Sequence, residues 1–200
     1  NSLRAKLAGA LLKSWGWRAT GVAPEHDKYV LVCAPHTSNF DFLGLLIHAE
    51  SMGVQLQWLG KHTLFTPPFG PLMRWLGGVP VRRDTPARRV DALADEFERA
   101  ERMVLAIPPE GTRSLTQHWK SGFYHVAMQA RVPIVLSYLD YERKLGGFGP
   151  TLWPSGNIQK DFEPIRSFYA DIKGRFPAQF GPIQPRSETP TTTNATNTEG

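Results

Sequence analysis

The chain has 200 residues, 41% hydrophobic and 20% charged, which suits a single globular domain with a real core. Lysine and arginine number 23 against 18 acidic residues, a formal net charge of +5, which favours contact with the phosphates of lipids, nucleotides or nucleic acid without choosing among them. The single cysteine, Cys33, excludes an internal disulfide, and no apolar stretch approaches the roughly 20 residues needed to span a bilayer.

Residues 2–17 come first. Leu3, Leu7, Leu11 and Trp15 recur every four residues, with Arg4, Lys6 and Lys13 elsewhere on the wheel, so the spacing predicts an amphipathic helix. Two placements are open: packed on the core, or lying on an anionic membrane with Trp15, Trp17 and Arg18 at headgroup level. Residues 29–34 are a continuous apolar run, read as a buried strand with Cys33 as a small core residue. Helical spacing follows over 41–52, stopped by Gly53, and strand-like alternation over 54–60. Phe65, Pro67, Pro68, Phe69, Leu72, Met73 and Trp75 then form a dense apolar stretch, either core or a lipid-contact surface. A short strand is predicted at 79–82. A helix is predicted over 86–102, capped by Thr85, with Val90, Leu93, Ala94 and Phe97 on one face. Strands at 103–107 and 133–139 flank a helix at 122–130. Residues 145–164, rich in Gly and Pro, are expected to be irregular, with a last helix over 165–174. From Gln184 onward polar residues without apolar periodicity predict a disordered tail over 184–200, leaving 1–183 as the domain. The alternation of strands and helices predicts an α/β fold with a central, mostly parallel sheet flanked by helices.

Chemistry concentrates where strands end. His36 follows the strand at 29–34, and Asp41 opens the next helix. Five residues across a turn can bring the carboxylate to one imidazole nitrogen, leaving the other to take a proton from a hydroxyl. On spacing alone such a pair is more often structural than catalytic. A second cluster, Glu110-Gly111-Thr112-Arg113-Ser114, follows the strand at 103–107. Gly111 permits close backbone approach, Thr112 and Ser114 offer hydroxyls, and Arg113 can grip a phosphate with two donors. Glu110 should hold arginine or backbone donors in place, or polarise an acceptor, rather than face a phosphate. A third cluster pairs Gly77 and Gly78 with Arg82 and Arg83 and offers another anion site. The six histidines form no compact ligand pattern, and there is no phosphate-binding loop, zinc spacing or aromatic single-strand motif. Metal and nucleic-acid binding are therefore not expected.

In order and spacing these clusters resemble the glycerolipid or lysophosphatidic-acid acyltransferase family, whose first motif is His, any four residues, Asp. His36 and Asp41 match it. Residues 78–83 resemble the second motif, with Arg83 in the place of its phosphate-contacting arginine. Pro109-Glu110-Gly111-Thr112-Arg113-Ser114 matches the third, with Pro108 standing where Phe is usual. Val132-Pro133-Ile134 resembles the fourth. Pieces around Lys61 and Lys120 are also similar, and the resemblance spans residues 29–138. It implies an acyltransferase with His36 and Asp41 catalytic and Lys61, Arg83, Glu110, Gly111, Thr112, Arg113 and Ser114 binding substrate. It implies no cofactor. The expected partners are an acyl thioester (acyl-CoA or acyl carrier protein), a lysophospholipid acceptor, and a membrane surface on the inner, cytoplasmic side. The competing readings are a lipid-binding module of the same fold without turnover and an acyltransferase for a different hydroxyl acceptor.

Overall fold

The computed structural model describes residues 3–81 and 85–186. Among them, seven strands form one sheet in the order β1-β7-β6-β2-β5-β3-β4. β2 (Lys28–Cys33), β3 (Gln57–Lys61), β4 (Gly78–Val81), β5 (Met103–Ile107) and β6 (Ile134–Asp140) run parallel. β7 (Leu145–Leu152) turns back antiparallel along β6, and the short β1 (Arg18–Thr20) follows β7. The expected α/β architecture is therefore the one observed.

Alternate residues of each strand face opposite sides, so a sheet covered on both faces needs apolar side chains throughout. Val30, Val32, Leu105 and Leu136 face one core, closed by α5 (Gly122–Ala130), α6 (Ile158–Tyr169) and the buried Trp119. Tyr29, Leu31, Ala106 and Val135 face the other, closed by α2 (Asn39–Ser51), Trp58 and Phe65. On the first face, α4 (Pro86–Arg99) buries Phe97, and the Thr85 hydroxyl caps it by accepting from the Arg88 amide at 3.5 Å.

Three expectations need correction. Residues 145–164 are not irregular: they hold β7 and the first half of α6. The glycines of β7 mark crowding. A Cβ at Gly146 would stand 2.6 Å from a Leu139 methyl and 2.7 Å from the His48 imidazole, and one at Gly149 would meet the Phe168 ring. The last helix starts at Ile158, capped by Asn157, and ends at Tyr169 rather than running over 165–174. Its buried stripe of Phe162, Ile165 and Tyr169 carries it through Pro164. The first helix, α1 (Leu3–Ser14), stops short of Trp17, and β1 begins at Arg18.

The helix itself packs on the body of the domain, but not through its leucine row. Ala5 and Leu12 are the buried face, whereas Leu3 is 73% and Leu7 62% exposed. The apolar stretch before β4 divides similarly. Phe65 is buried, while Phe69, just before α3 (Gly70–Trp75), and Trp75, its last residue, are exposed. Arg4 joins the two regions, with its guanidinium 4.9 Å from the Trp75 ring and 3.1 Å from the Glu50 carboxylate. No helix among the described residues is long and apolar enough to cross a membrane. At the C-terminal end, Gln184 to Arg186 lie along Trp119, whose amide donates to the Gln184 carbonyl at 2.9 Å. The rest of the predicted tail, 187–200, falls outside the described residues.

Candidate active site

β2 and β5 are neighbours with Val32 opposite Ile107, so both chains leave the sheet together at its carboxyl edge. Open α/β sheets place ligands at that edge. His36 lies just beyond one strand and Glu110 just beyond the other. The His36 backbone N–H donates to Glu110 Oε1 at 3.0 Å, joining two motifs 74 residues apart.

Asp41 is drawn into the same loop by helix capping. The Ser38 hydroxyl caps α2, accepting from the Phe40 amide at 3.1 Å, and the Asp41 carboxylate reaches back as the other half of a capping box. Asp41 Oδ2 accepts from the amides of Thr37 and Ser38, both at 2.7 Å, and Oδ1 accepts from the Tyr141 hydroxyl at 2.8 Å. His36 Nδ1 lies 3.7 Å from Oδ2, within electrostatic reach but longer than a hydrogen bond. Burial lowers the proton affinity of His36 below the ordinary imidazole value. Asp41 opposes that shift, and the Arg113 guanidinium adds to it. The resting imidazole is thus neutral near pH 7 and turns Nδ1 toward Asp41.

Glu110 is buried, and its Oε2 has no protein partner. Burial pushes its carboxyl up to about 7, against the pull of the His36 amide. It holds a backbone donor, one of the roles its sequence position suggested. Gly111 adopts φ +63, a left-handed backbone conformation that favours glycine. Thr112, Arg113 and Ser114 are exposed, and the Thr112 hydroxyl accepts from the Ser114 amide at 3.2 Å.

His36, Asp41 and Arg113 line a cavity of about 450 Å³ whose other walls include Phe42, Leu45, Trp58, Leu59, Met73 and Leu139. A basic nitrogen, a guanidinium and an apolar chamber therefore share one space. Lys61 stands exposed at the end of β3 and is not part of this lining. Arg83, with Arg82, lies outside the described residues. Among the described residues no cluster of three or more His, Cys, Asp or Glu side chains could hold a metal ion.

Two further residues touch this centre with no motif to announce them. Tyr141 follows β6 and reaches Asp41. Gln179 lies in a short 3-10 turn (Pro177–Gln179) and turns its amide nitrogen to the carbonyls of Thr37, at 2.9 Å, and Arg113, at 2.7 Å. Both carbonyls only accept, which sets that orientation. A tyrosine just past a sheet strand was the one available signal for the first; nothing local marks the second.

The acyltransferase family model matches residues 19–137. The 1-acyl-sn-glycerol-3-phosphate acyltransferase beta of Homo sapiens is 33% identical over 111 residues, which cover 52% of this chain but only 39% of the human protein. The crystal structure of the 1-acyl-sn-glycerophosphate (LPA) acyltransferase PlsC from Thermotoga maritima shares the fold, with a TM-score of 0.60 at 15% identity over 84% of this chain and 73% of that one. Since the matched region covers more than half of the chain and includes the positions of His36, Asp41, Glu110 and Arg113, this protein belongs to the acyltransferase family.

Proposed function

We propose that this chain moves a fatty acyl group from an acyl thioester, on coenzyme A or acyl carrier protein, to a hydroxyl of a lysophospholipid such as 1-acyl-glycerol-3-phosphate. The observation that carries this reading is a neutral imidazole beside Asp41, sharing an apolar chamber with Arg113. His36 Nε2 takes the proton of the acceptor hydroxyl as its oxygen attacks the thioester carbonyl. Asp41 stabilises the imidazolium, and the tetrahedral adduct collapses to the ester. The departing thiolate takes the proton from His36 and leaves as free thiol. No acyl-enzyme is needed. The Ser38 hydroxyl is committed to the helix cap, and burial pushes the Cys33 thiol up to about 12, far from a thiolate at neutral pH.

Arg113 is assigned the phosphate of the acceptor, with Arg83 and Lys61 as further candidates for it, and Glu110 keeps the His36 loop in register. Purified protein incubated with a panel of lysolipids and both thioester donors should yield diacyl product by mass spectrometry. Arg113→Lys keeps the charge but loses the planar fork, so KM for a phosphate-bearing acceptor should rise severalfold with kcat less affected. Absence of product with every pair of substrates would leave the non-catalytic lipid-binding reading.

Insoluble substrate tails require the cavity to meet lipid, and we assign that contact to the exposed face of α1 together with Phe69 and Trp75. Lys6 and Lys13 add attraction to anionic headgroups, at roughly 1 kcal/mol for each basic residue near the surface. The protein should float with anionic liposomes, less so as salt rises, yet not lose binding entirely because apolar insertion is unscreened. A Leu3→Glu, Leu7→Glu double variant changes only exposed positions, so it should stay folded and float poorly. Equal flotation of the variant and the parent, or none by the parent, refutes docking by this helix.

A further inference from the structure

Asp41 sits at the back of the proposed base, and the groups that hold it come partly from outside the matched region. Its Oδ2, the atom nearer His36 Nδ1, is held by two backbone amides of its own loop. Its Oδ1 has a different kind of partner, the Tyr141 hydroxyl at 2.8 Å, from 100 residues away. Tyr141 is itself fixed on two sides. Its ring meets the Trp17 edge at 5.0 Å, and its backbone N–H donates to the Lys173 carbonyl at 2.9 Å. From Lys173 the chain crosses the catalytic loops. The Phe176 amide donates to the Thr37 hydroxyl at 3.2 Å, Arg175 stacks on Phe40 at 4.2 Å, and Gln179 bridges the Thr37 and Arg113 carbonyls.

We propose that Tyr141 and the segment 173–180 bound to it are a positioning brace for acyl transfer, with Tyr141 orienting the Asp41 carboxylate and Gln179 locking the His36 loop to the Arg113 loop. The inference rests on the reading of His36 and Asp41 as the base and its partner. The chemistry favours positioning over mere packing. A carboxylate with one oxygen held by amides can still swing about its Cβ–Cγ bond, and a donor on the second oxygen stops that rotation. Burial and the Asp41 carboxylate both raise the proton affinity of the Tyr141 hydroxyl, so it remains a donor at every pH at which the enzyme works. A short hydrogen bond to an ionised acceptor is among the stronger kinds. It also draws charge from the carboxylate, which tempers the pull of Asp41 on a proton at His36.

Tyr141→Phe keeps the ring against Trp17 and removes only the hydroxyl. We expect kcat to fall roughly tenfold with both KM values near those of the parent, the pattern of an interaction that matters mainly in the transition state. The acidic limb of the kcat profile should move to higher pH, because an unshared Asp41 charge raises the proton affinity of His36; loss of packing alone would not move it. Gln179→Leu removes the bridge at an exposed position and tests the same brace if the Tyr141 variant does not fold. It should lower kcat by roughly threefold or more and raise KM for a phosphate-bearing acceptor, since both tethered loops are freed. His36→Ala is measured alongside. If it is inactive while Tyr141→Phe and Gln179→Leu match the parent in rate and pH profile, the brace is wrong and the base assignment stands. If His36→Ala keeps parental turnover, the base assignment fails, and the brace falls with it.

Discussion

Replacing His36 with alanine is expected to lower kcat by on the order of 100- to 10,000-fold while leaving the protein folded. His36 lines the cavity, whereas the tie that organises the loop is made by its backbone amide to Glu110. Alanine keeps the amide and removes the base, so loss of rate should not be accompanied by loss of structure. Because burial lowers the proton affinity of His36, the neutral form persists below the usual imidazole range. The parent's kcat/KM should therefore stay level as pH drops through that range and decline only below it. Steady-state rates across pH, with circular dichroism of the variant, test both parts. Parental turnover by the folded alanine variant would end the general-base assignment.

Glu110→Gln should remove the pH dependence that a buried carboxyl imposes on stability. The folded-state value of about 7 lies above the ordinary 4.5, so Glu110 favours the folded state fully below pH 4.5, and that contribution disappears as pH rises through 7. Glutamine fills the same volume, can still accept from the His36 amide, and does not titrate. Between about pH 4.5 and pH 8 the stability of the parent relative to the variant should fall by roughly 3 kcal/mol, because a tenfold change in proton affinity between the folded and unfolded states is worth about 1.4 kcal/mol. Urea unfolding of both proteins at the two pH values reads this directly. A constant difference would mean that Glu110 takes up its proton in the folded protein as it does in the unfolded chain, and that burial does not raise its proton affinity. At neutral pH a partly protonated Glu110 also carries less charge toward the phosphate assigned to Arg113.

Local patterns carried much of the architecture. Continuous apolar runs located β2, β5 and β6, and caps and periodicity located α2, α4 and α5 to within a few residues. The pattern Ser38-x-x-Asp41 was a readable capping box that begins α2 at Asn39, before the predicted residue 41. The misses share one cause. β7 is glycine-rich because Leu139, His48 and Phe168 fill the space its side chains would need, and those residues are remote in sequence. Proline at 164 suggested a break, but the buried stripe from Phe162 to Tyr169 outweighs one lost hydrogen bond.

By itself the sequence determined which side chains could do chemistry and the order of the strands that bear them: His36 and Asp41 after one apolar run, Glu110 to Ser114 after another. Tertiary structure alone decided that these two loops meet, because β2 pairs with β5 in parallel and both end at one edge. It also decided that the leucine row of α1 faces outward, since periodicity defines a stripe but not what covers it. Tyr141 and Gln179 became visible only there. Their bonds to Asp41, Thr37 and Arg113 close loops of 66 to 142 residues. No local periodicity encodes a contact whose partners are brought together by the packing of the whole sheet.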